Sequence, residues 1–421
     1  MITSITNCRM LDCVGDEPIE NTTIIVEDGI IKDISQGTNS LTIEARVINA
    51  KGRTVLPGLI DAHDHFAVTN NDMGATYFDP PFYTAIRMKN QLEKILNAGF
   101  TTLRDGGGGH WSLKKAIEDG FIIGPRLLIS GALLSITGGH GDFNLHGEMV
   151  YPPDIPFFNL MHICDGEDSC RKAVREQFRK GSDQIKICVT GGCASPNDQA
   201  WHLQFSKREI RAMVEEAESV GSYVMAHCLN DNGIRRAVEC GVKSIEHGSF
   251  MSDETAHLMK EKGAKLVSTL AVVWWAMEKG AKKGASEWFL RKISNPGCSA
   301  DGASIMEGMI RGAKVALKAG VLVGSGADFF GTMCGGEAIQ IKLNKELIGL
   351  TPYQALKTST IINAKILKME DKIGSITPLK WADIIIVNGN PDEDVNIITK
   401  PANIKLVMKQ GIILKNSMTD I

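Results

Sequence analysis

The middle of this chain repeats one unit, an amphipathic helical stretch closed by glycine and followed by a β-rich run. Ala98-Gly99 precedes Phe100 to Arg104, Val220-Gly221 precedes Tyr223 to Ala226, and Cys240-Gly241 precedes Val242 to Ile245. Lys262-Gly263 and Ala319-Gly320 stand the same way before Lys265 to Val267 and Val321 to Val323. Glycine suits the position just past a helix, where φ is positive. Strands that alternate with helices argue for a parallel sheet. Eight strand candidates lie near residues 55–60, 100–104, 126–132, 184–189, 223–227, 243–247, 265–269 and 321–325. Eight such units predict a TIM-type (β/α)8 barrel, which needs roughly 250 residues or more. Periodicity alone also accommodates a doubly wound open sheet.

The ends of the 421-residue chain read differently. Thr22 to Val26 and Ile30 to Ile34 flank Asp28-Gly29, a hairpin signal. Ala382 to Val387 precedes Asn388-Gly389, and Ile404 to Met408 precedes Gln410-Gly411 and Ile412 to Leu414. Termini often lie near each other, so both ends are expected to build one small β-sandwich domain. The expected division is 1–55 with 370–421 for that domain and 56–369 for the barrel.

Composition narrows the function classes. Lys+Arg number 46 against 49 Asp+Glu, a net charge of −3, which predicts no nucleic-acid or acidic-membrane partner. No run approaches 18 apolar residues, so no membrane span is expected. Met1 to Leu11 lacks a basic segment followed by an apolar one, and no signal peptide is expected. The ten cysteines are scattered without a CxxC pair. They read as reduced thiols of a cytoplasmic protein rather than a disulfide scaffold or zinc ribbon.

Polar residues gather at the C-terminal ends of the strand candidates, the face on which barrel enzymes place their sites. His63 and His65 close the first run, Leu56 to His65. Alternation puts residues two apart on one face, so both imidazoles can reach one metal, although a lone His-x-His also occurs by accident. Lys186 sits in Gln184 to Val189, where a buried ammonium is costly. Its stem could be buried with the head snorkelling out, but inside a barrel that escape is poor. A depressed pKa would let its amine react with CO₂, giving an anionic carbamate able to bridge metals. His227 ends Tyr223 to His227, and His247 ends Ser244 to His247. Singly each reads as a core histidine; at successive strand ends they suggest ligands. Asp328 follows Val323 to Ala327, where it could cap the next segment or act as a base beside bound water. Trp274 and Trp275 are candidates for pocket wall or core. Gly106 to Gly109 reads as a loop close to substrate.

The order His-x-His, Lys, His, His, Asp on strands one, four, five, six and eight resembles the amidohydrolase superfamily. Pro57 to His63, Gly374-Ser375-Ile376 and Ala382-Asp383 match as well. The resemblance implies two divalent metals, zinc foremost, bridged by N6-carboxylysine at Lys186 and by a hydroxide that serves as nucleophile. His63, His65 and Asp328 would hold one metal, and His227 and His247 the other. Asp328 would move the proton. Thr137 to Asp142, Thr190-Gly191-Gly192 and Glu246-His247-Gly248 resemble, more narrowly, the imidazolonepropionase-related branch. That branch includes Xaa-Pro and Xaa-Arg dipeptidase-like enzymes and ochratoxin-type amide hydrolases. It implies that His140 meets a substrate carboxylate. Where members often carry Tyr, this chain has Leu229, followed by Asn230, which becomes a second candidate for substrate binding.

The function implied is hydrolysis of an amide C–N bond in a dipeptide or N-acyl amino acid with a free carboxylate, by a homo-oligomeric enzyme. One rival is a cyclic-amide hydrolase of the imidazolonepropionase type, which normally keeps one metal and lacks the strand-four lysine. Another is a non-catalytic barrel acting as an assembly module, marked by loss of ligands.

Overall fold

The computed structural model describes residues 1–37, 45–144, 159–299 and 301–418. The helix–glycine–strand units of the middle form parallel ladders. Helix Pro81–Asn97 ends at Ala98 and Gly99, whose φ of 98° admits no ordinary side chain at low cost, before Phe100–Asp105. Helix Asp231–Glu239 ends the same way, with Gly241 at φ 100° ahead of Ser244–His247.

Leu59–Asp64, Phe100–Asp105 and Arg126–Leu128 make one parallel sheet of three strands. The other has seven strands, in the order Met161–Ile163, Leu133–Ser135, Ile185–Cys188, Val224–Cys228, Ser244–His247, Lys265–Ser268 and Val323–Ser325. The described ladders therefore form two parallel sheets rather than one closed ring of eight. Hydrogen bonds span the gaps between them. Asn363 donates to Ile60 O and Ser325 O, both at 2.7 Å, across one gap. At the other, Asp183 N donates to Ile129 O at 2.7 Å, and Gln184 Nε2 reaches Asp105 O and Leu128 O at 3.3 and 3.2 Å.

Two strand expectations change. The run 55–60 is two strands, Thr54–Pro57 and Leu59–Asp64, broken at Gly58, where a Cβ would lie 2.1 Å from Thr101 Oγ1. The run 126–132 stops at Leu128. Ile129 and Ser130 are instead tied to Asp183 and Asp105.

Both chain ends enter a single eight-stranded hydrogen-bonded sheet. Thr54–Pro57 joins them, pairing antiparallel with Ile384–Val387 on one side and parallel with Ile2–Met10 on the other. This central strand joins strands from both termini into one ladder. Ile5, Ile24, Val55, Ile386 and Leu406 form its fully buried core. Asp28-Gly29 makes the expected turn between Ile19–Glu27 and Ile30–Gln36, with φ of 49° and 83°. All ten cysteines are free thiols. Among the described residues, no helix is long and apolar enough to cross a membrane.

Candidate metal centre

The chemistry-bearing residues converge because the strands run parallel and end together. Cys188 pairs with His227, and Cys228 with His247, so neighbouring strands deliver their last residues side by side. Alternation should send Glu246 and His247 to opposite faces. The left-handed backbone at His247, φ 71°, turns that ring back so that both reach His63. Asp328 is also left-handed, at φ 58°, three residues beyond Val323–Ser325. Such backbone at a non-glycine residue is held only where the surroundings enforce it.

Asp328 is the hub. Its Oδ1 lies 3.3 Å from His65 Nε2 and 3.5 Å from His63 Nε2, and its Oδ2 lies 3.7 Å from His247 Nδ1. Donor atoms of His63, His247 and Asp328 all fall within 4.8 Å of one another. The His227 ring centroid is 4.6 Å from that of His247. Lys186 is 2% exposed, and its Nζ lies 3.1 Å from His63 Nε2. The six residues singled out in the sequence are thus brought to one place.

The rings are braced from behind. His63 Nδ1 meets Glu246 Oε2 at 2.6 Å, His65 Nδ1 meets Gly107 O at 3.3 Å, and His247 Nδ1 meets Thr269 Oγ1 at 2.7 Å. His227 uses its other nitrogen, Nε2, on Gly191 O at 3.1 Å. Partners of this kind fix the orientation and tautomer of a metal-binding imidazole. Gly106 closes the front, since a Cβ there would come within 2.8 Å of His63 Nε2. His247 Nε2 is buried and has no hydrogen-bond partner among the described residues. A buried, unpaired ring nitrogen on an imidazole packed against His63 and His227 and grouped with Asp328 fits a divalent cation, with a nitrogen and oxygen donor set suited to zinc.

The electrostatics agree with that fit. Burial holds His63 and His227 well below the usual imidazole range, with nearby cationic groups adding to the effect, and lowers His247 to about 4. They are therefore neutral and free to ligate at neutral pH. Burial alone would raise Asp328, but the facing His63, His65 and His247 rings outweigh it and keep the carboxylate ionised. Lys186 is pulled down, burial being the largest cause.

Sequence reasoning missed the support below the rings. Arg104, fully buried, donates to Ala62 O at 2.6 Å and to both Glu246 oxygens at 2.9 and 3.0 Å. The signal was present, since Arg104 and Glu246 are charges inside apolar strands, as Lys186 is.

Beside this cluster lies a cavity. Leu133, Phe143, Leu229, Val272, Phe289 and Met309 supply apolar walls, and Lys186, His65, His227, His247 and Asp328 the polar floor. His140 lines the cavity and stacks on His227 with centroids 4.3 Å apart. Asn230 does not reach it. Its Oδ1 caps helix Asp231–Glu239 through Gly233 N at 2.9 Å, and its Nδ2 donates to Ala200 O at 2.9 Å, so the amide is spent. Trp275 belongs to the packed core and Trp274 is half-buried against it, and their neighbours Val272 and Val273 form the wall instead.

A profile described as the amidohydrolase family matches residues 54–414. Ochratoxinase from Aspergillus niger is 31% identical over 424 residues, covering 95% of this chain and 84% of that protein. Among solved structures, an amidohydrolase superposes with a TM-score of 0.93 at 35% identity over 100% of both chains. A prolidase complexed with N-methylphosphonate-L-proline gives a TM-score of 0.93 at 34% identity, over 99% of this chain and 100% of that one.

Proposed function

This chain belongs to the amidohydrolase family and is a hydrolytic enzyme, and on that premise we propose that it cleaves the amide bond of dipeptides or N-acyl amino acids that carry a free carboxylate. The observation that carries the reading is the braced cluster. His63 and His65 each commit Nδ1 to a partner behind the ring and leave Nε2 beside Asp328, His63 Nε2 also meeting Lys186 Nζ. His247 Nδ1 lies between Thr269 Oγ1 and Asp328 Oδ2, and its Nε2 has no hydrogen-bond partner among the described residues. The similarity to a prolidase and to ochratoxinase supports amide hydrolysis.

In this reading His63, His65 and Asp328 would hold one ion and His227 and His247 the other, with Lys186, carboxylated, as a further ligand between them. Zinc suits the donors. When bound, such ions supply an acidified water and a polarised carbonyl. Asp328, held ionised among the three imidazoles, would take up a proton at its carboxylate and return it to the leaving amine. His140 receives the substrate carboxylate, and the apolar walls take an apolar side chain. Glu246 and Arg104 keep His63 in place.

We further read residues 56–369 as a (β/α)8 barrel and 1–55 with 370–421 as a small β domain. The bridges made by Asn363, Asp183 and Gln184 support joining the two parallel sheets.

The test is a panel of dipeptides and N-acyl amino acids, each paired with its C-terminal amide, offered to zinc-loaded enzyme. The free acids should be preferred by on the order of ten- to a hundredfold, the worth of one charged hydrogen bond in a dry site. Equal cleavage of acids and amides would sink the carboxylate reading and direct the search to lactams and imidazolones.

A further inference from the structure

A second buried ionic network lies beside the cavity, and the reaction described above does not use it. Lys292, on helix Glu287–Ser294, is 3% exposed. Its Nζ donates to Ser195 O at 2.7 Å and to Asp198 O, and lies 3.3 Å from Asp198 Oδ1. Asp198 is 1% exposed. Its Oδ2 accepts from Gly192 N at 2.5 Å and faces His140 Nδ1 at 3.1 Å, while its Oδ1 accepts from Ser195 Oγ at 2.7 Å. Ser195 Oγ is also 2.9 Å from His140 Nδ1 and accepts from Gly141 N at 3.1 Å. The surrounding hydrogen bonds hold Asp198 below the usual carboxylate range against the opposing effect of burial.

The consequence falls on His140. One face of its ring stacks on His227, with an interplanar angle of 21°. Gly192 sits against it, where a Cβ would come within 2.2 Å of His140 Cε1. Nδ1 is held by Asp198 and Ser195, so Nε2 is the nitrogen left for the cavity. A buried lysine and aspartate are expensive to keep unless fully partnered. Here the pair ties three separate segments around one imidazole edge: the His140 turn, the 191–199 loop and helix Glu287–Ser294.

We propose that Asp198, braced by Lys292, is the positioning residue for substrate recognition: it fixes the His140 ring so that Nε2 meets the substrate carboxylate. The proposal rests on the carboxylate reading of His140. Without Asp198 the ring can rotate about its χ2 bond and exchange the nitrogen it offers, which weakens binding of the acid and leaves the reacting groups in place.

The test compares wild type, Asp198→Asn, His140→Ala and the double variant on N-acetyl-L-leucine and its amide, or on the best acid and amide pair of the panel. Asp198→Asn should raise KM for the acid about tenfold with a much smaller change in kcat, narrow the preference for acid over amide, and leave the metal content as in wild type. The double variant should be no worse than His140→Ala alone, because both substitutions remove one unit. Losses that add, or a fall in kcat for acid and amide alike, overturn the positioning role while the carboxylate reading stands. A His140→Ala enzyme with undiminished acid preference overturns the carboxylate reading itself, and the proposal with it. If Asp198→Asn fails to fold, Ser195→Ala is read the same way, with roughly a threefold rise in KM expected for loss of a neutral hydrogen bond and no rise overturning the proposal.

Discussion

Glu246 Oε2 lies 2.6 Å from His63 Nδ1, and both side chains are wholly buried. Arg104 closes the chain from below, so a guanidinium, a carboxylate and an imidazole run in series to the proposed metals. Glu246→Gln should keep the shape and lose the charge. Metal affinity is expected to fall on the order of ten- to a hundredfold, as for other partners of ligand histidines. Competition with a chelator reads this directly, and unchanged affinity would mean that Glu246 serves packing alone. Arg104→Met should instead destabilise the fold by about 3–5 kcal/mol, because it strands a buried carboxylate.

Lys186 gives a sharper case. Its amine is buried and depressed in pKa, and its Nζ meets an imidazole rather than a carboxylate. Lys186→Ala is predicted to lose metal and turnover together. Short carboxylic acids such as acetate or propionate should restore part of both by standing in for the carbamate. Normal turnover in the unrescued variant would contradict a bridging role.

Asp328→Asn tests the proton transfer. The variant should remain folded by circular dichroism. Its kcat should fall by roughly 10²–10⁴, the range for a general acid–base group, and further if a metal is also lost. An unchanged kcat would move the proton to another residue.

Stability should carry the signature of a buried acid that faces the buried Asp61 and Asp64. Glu337 is 1% exposed, and burial raises its pKa to about 7. Its Oε1 accepts from Gly335 N at 2.7 Å, while Oε2 has no hydrogen-bond partner. A raised acid pKa means that the folded chain holds a proton the unfolded chain has released. Stability from this group therefore declines as pH rises from the ordinary carboxyl value to about 7, at up to roughly 1.4 kcal/mol per unit, and then levels off. Glu337→Gln should thus raise Tm more at pH of about 8 than at about 5. An equal effect at both values would show that Glu337 titrates normally.

The candidate histidines and Asp328 were readable because each stands at or just past the end of an apolar run, and Lys186 because it is a charge inside one. Glu246 and Arg104 carry the same signature, but they face inward in mid-strand, and nothing local says that they meet. Asn230 could have been read correctly, since Asn followed by Asp231 and a helical pattern is a capping signal. Eight of the ten described parallel strands were legible in the repeated units, and the short strands Leu133–Ser135 and Met161–Ile163 were not. Nor was the arrangement in two ladders, because Asn363 and Gln184 span the gaps with side chains from distant positions. The single sheet of the termini depends on Thr54–Pro57 lying between strands more than 300 residues apart in sequence.

The central claim is that this cluster is a two-metal centre. Protein produced in zinc-supplemented medium and freed of loose ions should contain about two metal ions per chain by elemental analysis. Lys186→Ala should contain fewer, and activity should rise and fall with occupancy. Fully active protein with a reproducible content near zero would contradict the account.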